Sequence, residues 1–281
     1  MSATAARRPV ARTLASWEYR TAVRSRWVLV MAAIFGLLCL TVTLLAFRSV
    51  RDLGLSGVGP ASATLVNLGV LLPSLMGLVL GAGAIVGARE QGTLAMMAAQ
   101  PMARGSIVSG AFLGLTGALW ATLGLGFGVA LLLMSGVARA SDVPALATLI
   151  VATAVVAAAS VSIGLAVSSI AATRSQAVAG TVGVWIVCAL GMDLALAALA
   201  PSVHLGPSGL FVAVLLNPLE AGRILALLGT NFQGTALGPF GAYLVTTFGV
   251  AGSVAILVAD LIAWTVVPLL LARRAVRRRD V

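Results

Sequence analysis

The chain alternates long apolar runs with short polar breaks, and this alternation leaves few folds open to it. A helix of ~20 apolar residues crosses a bilayer, and lipid offers no partner to an unpaired backbone group. Charged residues make up only 9% of the 281 residues, so the runs are nearly free of charge. We therefore predict an all-α integral membrane fold with six transmembrane helices, at residues 27–47, 62–88, 107–135, 145–171, 176–200 and 242–271.

The arginines predict the orientation of these helices. All 18 basic residues are arginines, and 14 of them fall on the same side as the chain termini when six helices cross the membrane. Basic residues concentrate on the cytoplasmic side of membrane proteins. Both termini are therefore predicted to be cytoplasmic. The net charge of +10 has the same origin, and we expect no nucleic-acid partner.

The absence of lysine restricts the chemistry of this polypeptide. The phosphate-binding loop G-x-x-x-x-G-K-[ST] requires a lysine, and the sequence has none. If ATP drives the protein, another polypeptide must bind the ATP. We expect this chain to bind no cofactor and to contain no catalytic residue.

The chain divides into three predicted regions. Residues 1–26 form a cytoplasmic tail that ends in an interfacial amphipathic helix, because Leu14 and Trp17 share one helical side. Residues 27–271 form the transmembrane domain. Residues 272–281 form a basic cytoplasmic tail.

One polar interruption, residues 88–106, separates the second and third predicted helices. We predict a short cytoplasmic helix here, because a threonine suits the N-cap region and a proline ends a helix. Met96, Met97 and Met102 add an adaptable surface on which a partner could dock. An ordinary polar loop is the alternative. The candidate coupling residues are Glu90, Gly92, Thr93, Leu94, Pro101 and Arg104.

The region at 201–241 is predicted to face outward. Its apolar pieces, Leu210–Leu216 and Ile224–Leu228, are too short to span a bilayer. We predict broken outward helices before the sixth helix, and a periplasmic linker is the alternative. The polar residues between the pieces are candidates for contact with an outward partner: Asn217, Pro218, Glu220 and Arg223.

Two aspartates fall inside predicted membrane helices. An ionised aspartate at the bilayer centre costs about 2.5–3.5 kcal/mol, so Asp193 and Asp260 should face protein or water. They either serve a pathway or latch, or are buried and hydrogen-bonded to a neighbouring helix. Cys188 and Met192 lie one helical turn apart beside Asp193 and are weak candidates for a soft-metal site.

Pairs of glycines at G-x-x-x-G spacing recur in the predicted helices. This spacing lets helices approach closely, but it does not identify the face that packs. The pairs are Gly77/Gly81, Gly83/Gly87, Gly110/Gly114 and Gly124/Gly128.

The serine and histidine pattern argues against an intramembrane protease. Such an enzyme needs its serine in a membrane helix and a histidine base on another helix. Ser56 and Ser208 stand in G-x-S-G patterns, but both fall in predicted outward loops. The one histidine, His204, lies on the same loop as Ser208.

The segment from Glu90 to Arg104 resembles the cytoplasmic coupling segment of ABC-2 type ABC transporter permeases. That family carries E-x-x-G-T-L, a mostly apolar stretch and then P-x-x-R. Within it, the chain is similar to the NosY permeases, the membrane subunits of NosDFY transporters that serve copper-site maturation of nitrous oxide reductase. One departure is Gly110-Ala111, where those permeases often have Gly-Lys. The further points of likeness are Arg24-Ser25-Arg26-Trp27, Gly183-Val184-Trp185 and Leu216-Asn217-Pro218.

This resemblance implies partners and a location. It implies a homodimer in the bacterial inner membrane, cytoplasmic NosF-like ATPase subunits that bind ATP and Mg, and a periplasmic NosD-like protein. The implied function is the coupling of ATP hydrolysis by the partner to movement across the membrane, for copper and sulfur delivery in denitrification. The alternatives are an ABC-2 exporter of a lipid, drug or other small molecule, and a membrane scaffold or enzyme without an ATPase.

Overall fold

The computed structural model describes residues 7–53, 59–98, 104–134, 143–191, 194, 206–230 and 237–278, and all regular structure in them is helical. A π-helix, Val187–Gly191, directly follows α7. The α-helices in chain order are α1 Arg7–Val23, α2 Arg26–Leu53, α3 Gly59–Glu90, α4 Thr93–Ala98, α5 Arg104–Met134, α6 Val143–Ile170, α7 Arg174–Ile186, α8 Pro207–Leu215, α9 Pro218–Thr230 and α10 Gly238–Arg278.

Five of these helices are long and apolar enough to cross a membrane, namely α2, α3, α5, α6 and α10. They coincide with five of the six predicted spans, which confirms the all-α membrane fold class. Helices α8 and α9 meet at a bend of 115° and add a sixth span only if the pair counts as one. The predicted fifth span, 176–200, begins in α7 and the π-helix. After Gly191 only Leu194 of this span is described, so the full span stays a prediction.

Helices α3 and α6 pack closely through glycines. A methyl group added at Gly77 would lie 2.8 Å from the carbonyl oxygen of Ala157, and one at Gly81 would lie 2.5 Å from that of Val161. Gly164 of α6 faces α3 in the same way. The Gly77/Gly81 pair is therefore a true helix contact, whereas a methyl at Gly124 or Gly128 would meet nothing within 4 Å.

Tryptophan side chains join further helices of the bundle. The indole N–H of Trp120 donates to Ala154 O at 2.9 Å and links α5 to α6. That of Trp185 donates to Leu71 O at 3.2 Å and links α7 to α3. That of Trp264 donates to Leu215 O at 3.1 Å and links α10 to α8. Each of these three indole N–H groups thus has an acceptor on a neighbouring helix.

Helix α1 packs against α5. A methyl at Gly114 would lie 2.6 Å from Ala15 O, and the Tyr19 ring lies beside Gly117. This packing buries part of Glu18, and desolvation raises the pKa of its carboxyl. Residues 7–23 are therefore helical and pack against the bundle along one side, whereas the placement of this helix at the membrane interface stays a prediction.

Helix α10 is kinked at Gly249, where φ is 70° and ψ is 169°. The Ser253 hydroxyl lies 3.1 Å from Leu244 O and 2.8 Å from Gly249 O, so its one proton is shared between two carbonyls beside the kink. Beyond the kink the helix continues to Arg278. The first part of the predicted basic tail is therefore a continuation of the last membrane helix.

Candidate coupling surface and bent helix pair

The end of α3 is set by a turn at Gly92. Gln91 N donates to Gly87 O at 3.1 Å, and Gly92 N donates to Arg89 O at 3.0 Å. Gly92 has a φ of 72°, the left-handed conformation in which helices commonly end and which favours glycine. The turn redirects the chain from α3 into the short helix α4.

Thr93 is the first residue of α4 and not its N-cap. Its hydroxyl donates to Ala88 O at 3.0 Å, so it satisfies a carbonyl at the end of α3. The backbone of Gly92 occupies the cap position instead, with its carbonyl accepting from Met96 N at 3.4 Å. The prediction that Thr93 caps this helix is therefore wrong, because its hydroxyl donates to a carbonyl of α3 instead.

Helix α4 has a buried side and an exposed side. Leu94 is 4% exposed and packs into the main core, whereas Met96 is 69% exposed. Pro101 lies outside the described residues, as do the side chains of Met97 and Arg104. Within the described part, α4 therefore presents Met96 to solvent while Leu94 holds it to the bundle.

The end of α3 is tied to the turn between α6 and α7. The Arg89 guanidinium donates to the carbonyls of Ala171 and Ala172. The Glu90 carboxylate accepts from Arg174 N at 2.8 Å. Arg174 opens α7, where free N–H groups and the helix dipole favour a negative charge. Glu90 is thus exposed to solvent and also accepts a hydrogen bond at the start of α7.

The start of α7 also has its own side-chain cap. Thr173 is the N-cap, and its hydroxyl oxygen accepts from Gln176 N at 3.3 Å. The Gln176 side chain accepts from Ala172 N at 3.3 Å in return. This T-x-x-Q arrangement is close to a capping box, a sequence signal that would have located the start of α7.

The C-terminal turns of α10 reach the same end of the molecule. Arg273 donates to Ser109 Oγ at 2.6 Å, and the Arg277 guanidinium lies beside Gly105 at the start of α5. This arginine-rich end also contains Arg89 and Arg174. Sequence reasoning counted these arginines for topology but did not predict that they hold the helix ends together.

At the bend between α8 and α9, Asn217 has an internal role. Its side-chain amide donates to Cys188 O of the π-helix at 2.6 Å. Its Oδ1 accepts from Leu219 N at 3.1 Å and lies 3.5 Å from Glu220 N, so it caps α9, with Pro218 as the first helical residue. Asn217 is only 5% exposed, and its side-chain amide makes its hydrogen bonds within the protein.

A cavity of about 220 Å³ lies between α3, the π-helix and α9. Glu220 and Arg223 form an ion pair of 3.2 Å at its edge, and the Arg223 side chain is 36% exposed against 14% for Glu220. Of the four residues predicted to contact an outward partner, Arg223 therefore has the most exposed side chain. The lining residues are Asn67, Val70, Leu71, Ala189, Leu190, Leu219, Glu220 and Arg223.

The remaining candidates are only partly described. Asp260 lies in α10, and its Oδ2 is buried and has no hydrogen-bond partner among the described residues. Cys188 is half-buried as a free thiol. Asp193 and Met192 lie outside the described residues, so the pathway and metal hypotheses at this position stay untested.

Helix α3 connects the two regions. Asn67 lines the cavity, and Glu90 lies at the arginine-rich end. The helix between them is about 35 Å long at the usual rise per residue. The coupling segment and the bent helix pair therefore lie at opposite ends of one continuous helix.

Comparison with known proteins identifies the family. A family model described as ABC-2 family transporter protein matches residues 12–281. The chain is 31% identical over 236 residues to a protein of Pseudomonas aeruginosa, covering 82% of this chain and 85% of the relative. It is 30% identical over 274 residues to a protein of Stutzerimonas stutzeri, covering 95% and 97%. Both relatives are named "Probable ABC transporter permease protein NosY". The chain belongs to the ABC-2 family and is a multi-pass ABC transporter permease.

Proposed function

We propose that this permease is NosY-like and transmits the movement of a cytoplasmic ATPase to an outward-facing partner, serving copper-site maturation of nitrous oxide reductase. The observation that carries the coupling part is the continuous helix α3, which joins the exposed segment at Glu90 to the cavity at Asn67. The names of the two relatives support the NosY-like assignment.

In this mechanism the ATPase presses on α4 and the end of α3. Met96 offers an exposed apolar contact, and Leu94 transfers the load to the core. Because Arg89 and Glu90 bind the turn before α7, displacement of α3 carries α7 with it. One push at the coupling segment thus moves two helices together.

At the outward end the same movement reaches α9. The Asn217–Cys188 hydrogen bond joins the bend at α8 and α9 to the π-helix that follows α7. A shift of α7 therefore changes the position of Arg223 and its neighbours. A partner that binds one of these positions more tightly than the other is released or captured when the ATPase acts.

The proposed assembly is a homodimer of this chain with two NosF-like ATPase subunits and a periplasmic NosD-like protein. It lies in the bacterial inner membrane with both termini in the cytoplasm, as the arginine-rich end supports. ATP and Mg bind to the ATPase subunits. Only 17% of the most apolar stretch of α10 is buried in the single chain, which leaves surface for lipid or a second copy.

Co-purification from the native membrane tests this proposal. The detergent-solubilised permease is captured, and its partners are identified by mass spectrometry. An ATPase together with a periplasmic protein is the expected result. An ATPase alone would favour an ABC-2 exporter of a small molecule over the NosY-like role, and no ATPase would overturn the transporter mechanism.

Two variants locate the ATPase contact. Met96→Asp places a charge on the exposed side of α4 without touching an internal hydrogen bond, and we expect ATPase recovery to fall at least about tenfold, or roughly 1.4 kcal/mol. Thr21→Asp places the same charge on the exposed side of α1 and is the control; it also removes the hydrogen bond from the Thr21 hydroxyl to Trp17 O. Charge reversal at Glu90 and Arg104 together should weaken recovery further, and unchanged recovery in both variants would exclude this surface.

A further inference from the structure

Helices α6 and α10 enclose an open groove of about 500 Å³ near the arginine-rich end. On each helix the lining residues include a set spaced i, i+3, i+4 and i+7, which places that set on one face. The lining residues are Ile163, Ala166, Val167, Ser169 and Ile170 of α6, and Leu271, Arg274, Ala275 and Arg278 of α10.

The groove combines an apolar wall with two cations. Ile170 is 62% exposed and Leu271 is 53% exposed, so apolar side chains remain uncovered by protein. Arg274 and Arg278 are exposed, and neither forms an ion pair or a side-chain hydrogen bond with another residue in the described part of the chain. They are one helical turn apart, a spacing at which like charges destabilise a helix.

The other arginines of this end are engaged differently. Arg273 donates a hydrogen bond to Ser109, and Arg277 lies against Gly105. These two side chains face α5, while Arg274 and Arg278 face the groove with α6. The C-terminal turns of α10 thus use one pair of arginines for internal packing and direct the other pair to an open surface.

We propose that this groove binds one anionic phospholipid from the membrane leaflet at the arginine-rich end. An acyl chain lies along Val167 and Leu271, and the lipid phosphate accepts hydrogen bonds from Arg274 and Arg278. Arginine suits this role because its planar guanidinium binds phosphate with two parallel hydrogen bonds. Basic pockets between membrane helices on the cytoplasmic side are typical sites for acidic headgroups.

The shape of the groove favours a lipid over a free anion. Its wall is predominantly apolar and continues the surface of two membrane helices, so an inorganic phosphate would leave most of it uncovered. The site borders Ile170, next to the turn that Arg89 binds. Lipid binding here would therefore hold α6 and α10 together beside the end of α3 that carries Glu90.

Measuring how much lipid the protein retains tests whether the groove binds a phospholipid. The full chain, with any ATPase that co-purifies, is exchanged into nanodiscs of equal phosphatidylglycerol and phosphatidylcholine, and bound lipid is counted by native mass spectrometry after release. We expect one retained phosphatidylglycerol per chain. Arg274→Gln with Arg278→Gln should weaken its binding by roughly 30-fold, taking both arginine contacts together. Arg20→Gln with Arg24→Gln, which removes the same charge from exposed positions in the last turn of α1 and directly after it, should leave retention unchanged.

A second variant tests the apolar wall. Ala275→Trp fills the groove while it keeps both arginines, and we expect it to abolish retention of phosphatidylglycerol. Equal retention of phosphatidylcholine by the unmodified chain, or full retention by the double glutamine and tryptophan variants, would overturn the proposal. Displacement of the lipid by millimolar inorganic phosphate would instead identify a free-anion site and would also overturn it.

Discussion

Among single residues, Glu90 is both bonded within the protein and exposed to solvent. Its carboxylate accepts a hydrogen bond from Arg174 N, yet the side chain is exposed to solvent. The sequence predicted a polar residue available to a partner, and it did not predict the internal bond. That bond joins residues 84 positions apart, so only the packing of α3 beside the turn after α6 creates it.

Loss of the Glu90 carboxylate should weaken the start of α7. We expect Glu90→Ala to lower the free energy of unfolding by about 1 kcal/mol, the usual effect of removing a helix cap. Glu90→Gln should cost less, because the amide keeps an acceptor oxygen. Thermal denaturation in detergent measures both, with the exposed neighbour Gln91→Ala as the control. Equal stability of Glu90→Ala and the control would contradict this role.

The turn at Gly92 requires a left-handed backbone. We expect Gly92→Ala to destabilise the protein by about 1–2 kcal/mol, because an added Cβ is strained at positive φ although space around it is open. Gly87→Ala is the matched control, since Gly87 is helical and its added Cβ also meets no atom within 4 Å. Denaturation of the two variants side by side checks the difference, and equal losses would rule out backbone strain as its cause.

At the scale of helices, α3 and α6 pack closely because glycines of α3 lie against the backbone of α6. The recurring G-x-x-x-G spacing predicted such contacts but offered four pairs, including Gly77/Gly81 and Gly124/Gly128. The structure selects the first of these two pairs, because backbone atoms of α6 lie within van der Waals distance of an added methyl only there. Spacing within one helix cannot reveal which side meets a neighbour.

A larger residue at this contact should separate the helices. We expect Gly81→Val to destabilise the protein by about 1–3 kcal/mol, the usual cost of overpacking, because the side chain would collide with the α6 backbone at Val161. Gly124→Val, on an exposed side of α5, should have little effect. Fluorescence-detected size-exclusion chromatography after heating compares the two variants. Similar melting temperatures would show that α3 can shift without cost.

At the scale of the whole molecule, α3 sets the distance between the coupling segment and the bent helix pair. Met96 and the arginines lie near one end of this helix, and the π-helix and α9 lie near the other. If the arginine-rich end is cytoplasmic, the bend at Asn217 belongs to the outer side. The two ends should therefore differ in their accessibility to reagents that do not cross the membrane.

Cysteine labelling in intact cells and in inverted vesicles tests this orientation. After replacement of Cys39 and Cys188, we expect Ser208→Cys to react with an impermeant maleimide in intact cells, because Ser208 is exposed near the start of α8. Met96→Cys should react only in inverted vesicles. The reversed pattern would place the arginine-rich end outside and would contradict the proposed position of the ATPase.

Local sequence alone determined the membrane class, five helices that can cross it, the polar break after α3 and the family. The length of an apolar run and the order of residue types in a motif depend only on residues adjacent in the chain. They can therefore be recognised without knowledge of the tertiary structure. Tertiary structure alone decided that Arg89 and Glu90 bind the turn before α7, that Asn217 joins α9 to the π-helix, and that Arg274 faces a groove. These features depend on contacts between residues far apart in the chain, and many different packings satisfy the same apolar periodicity.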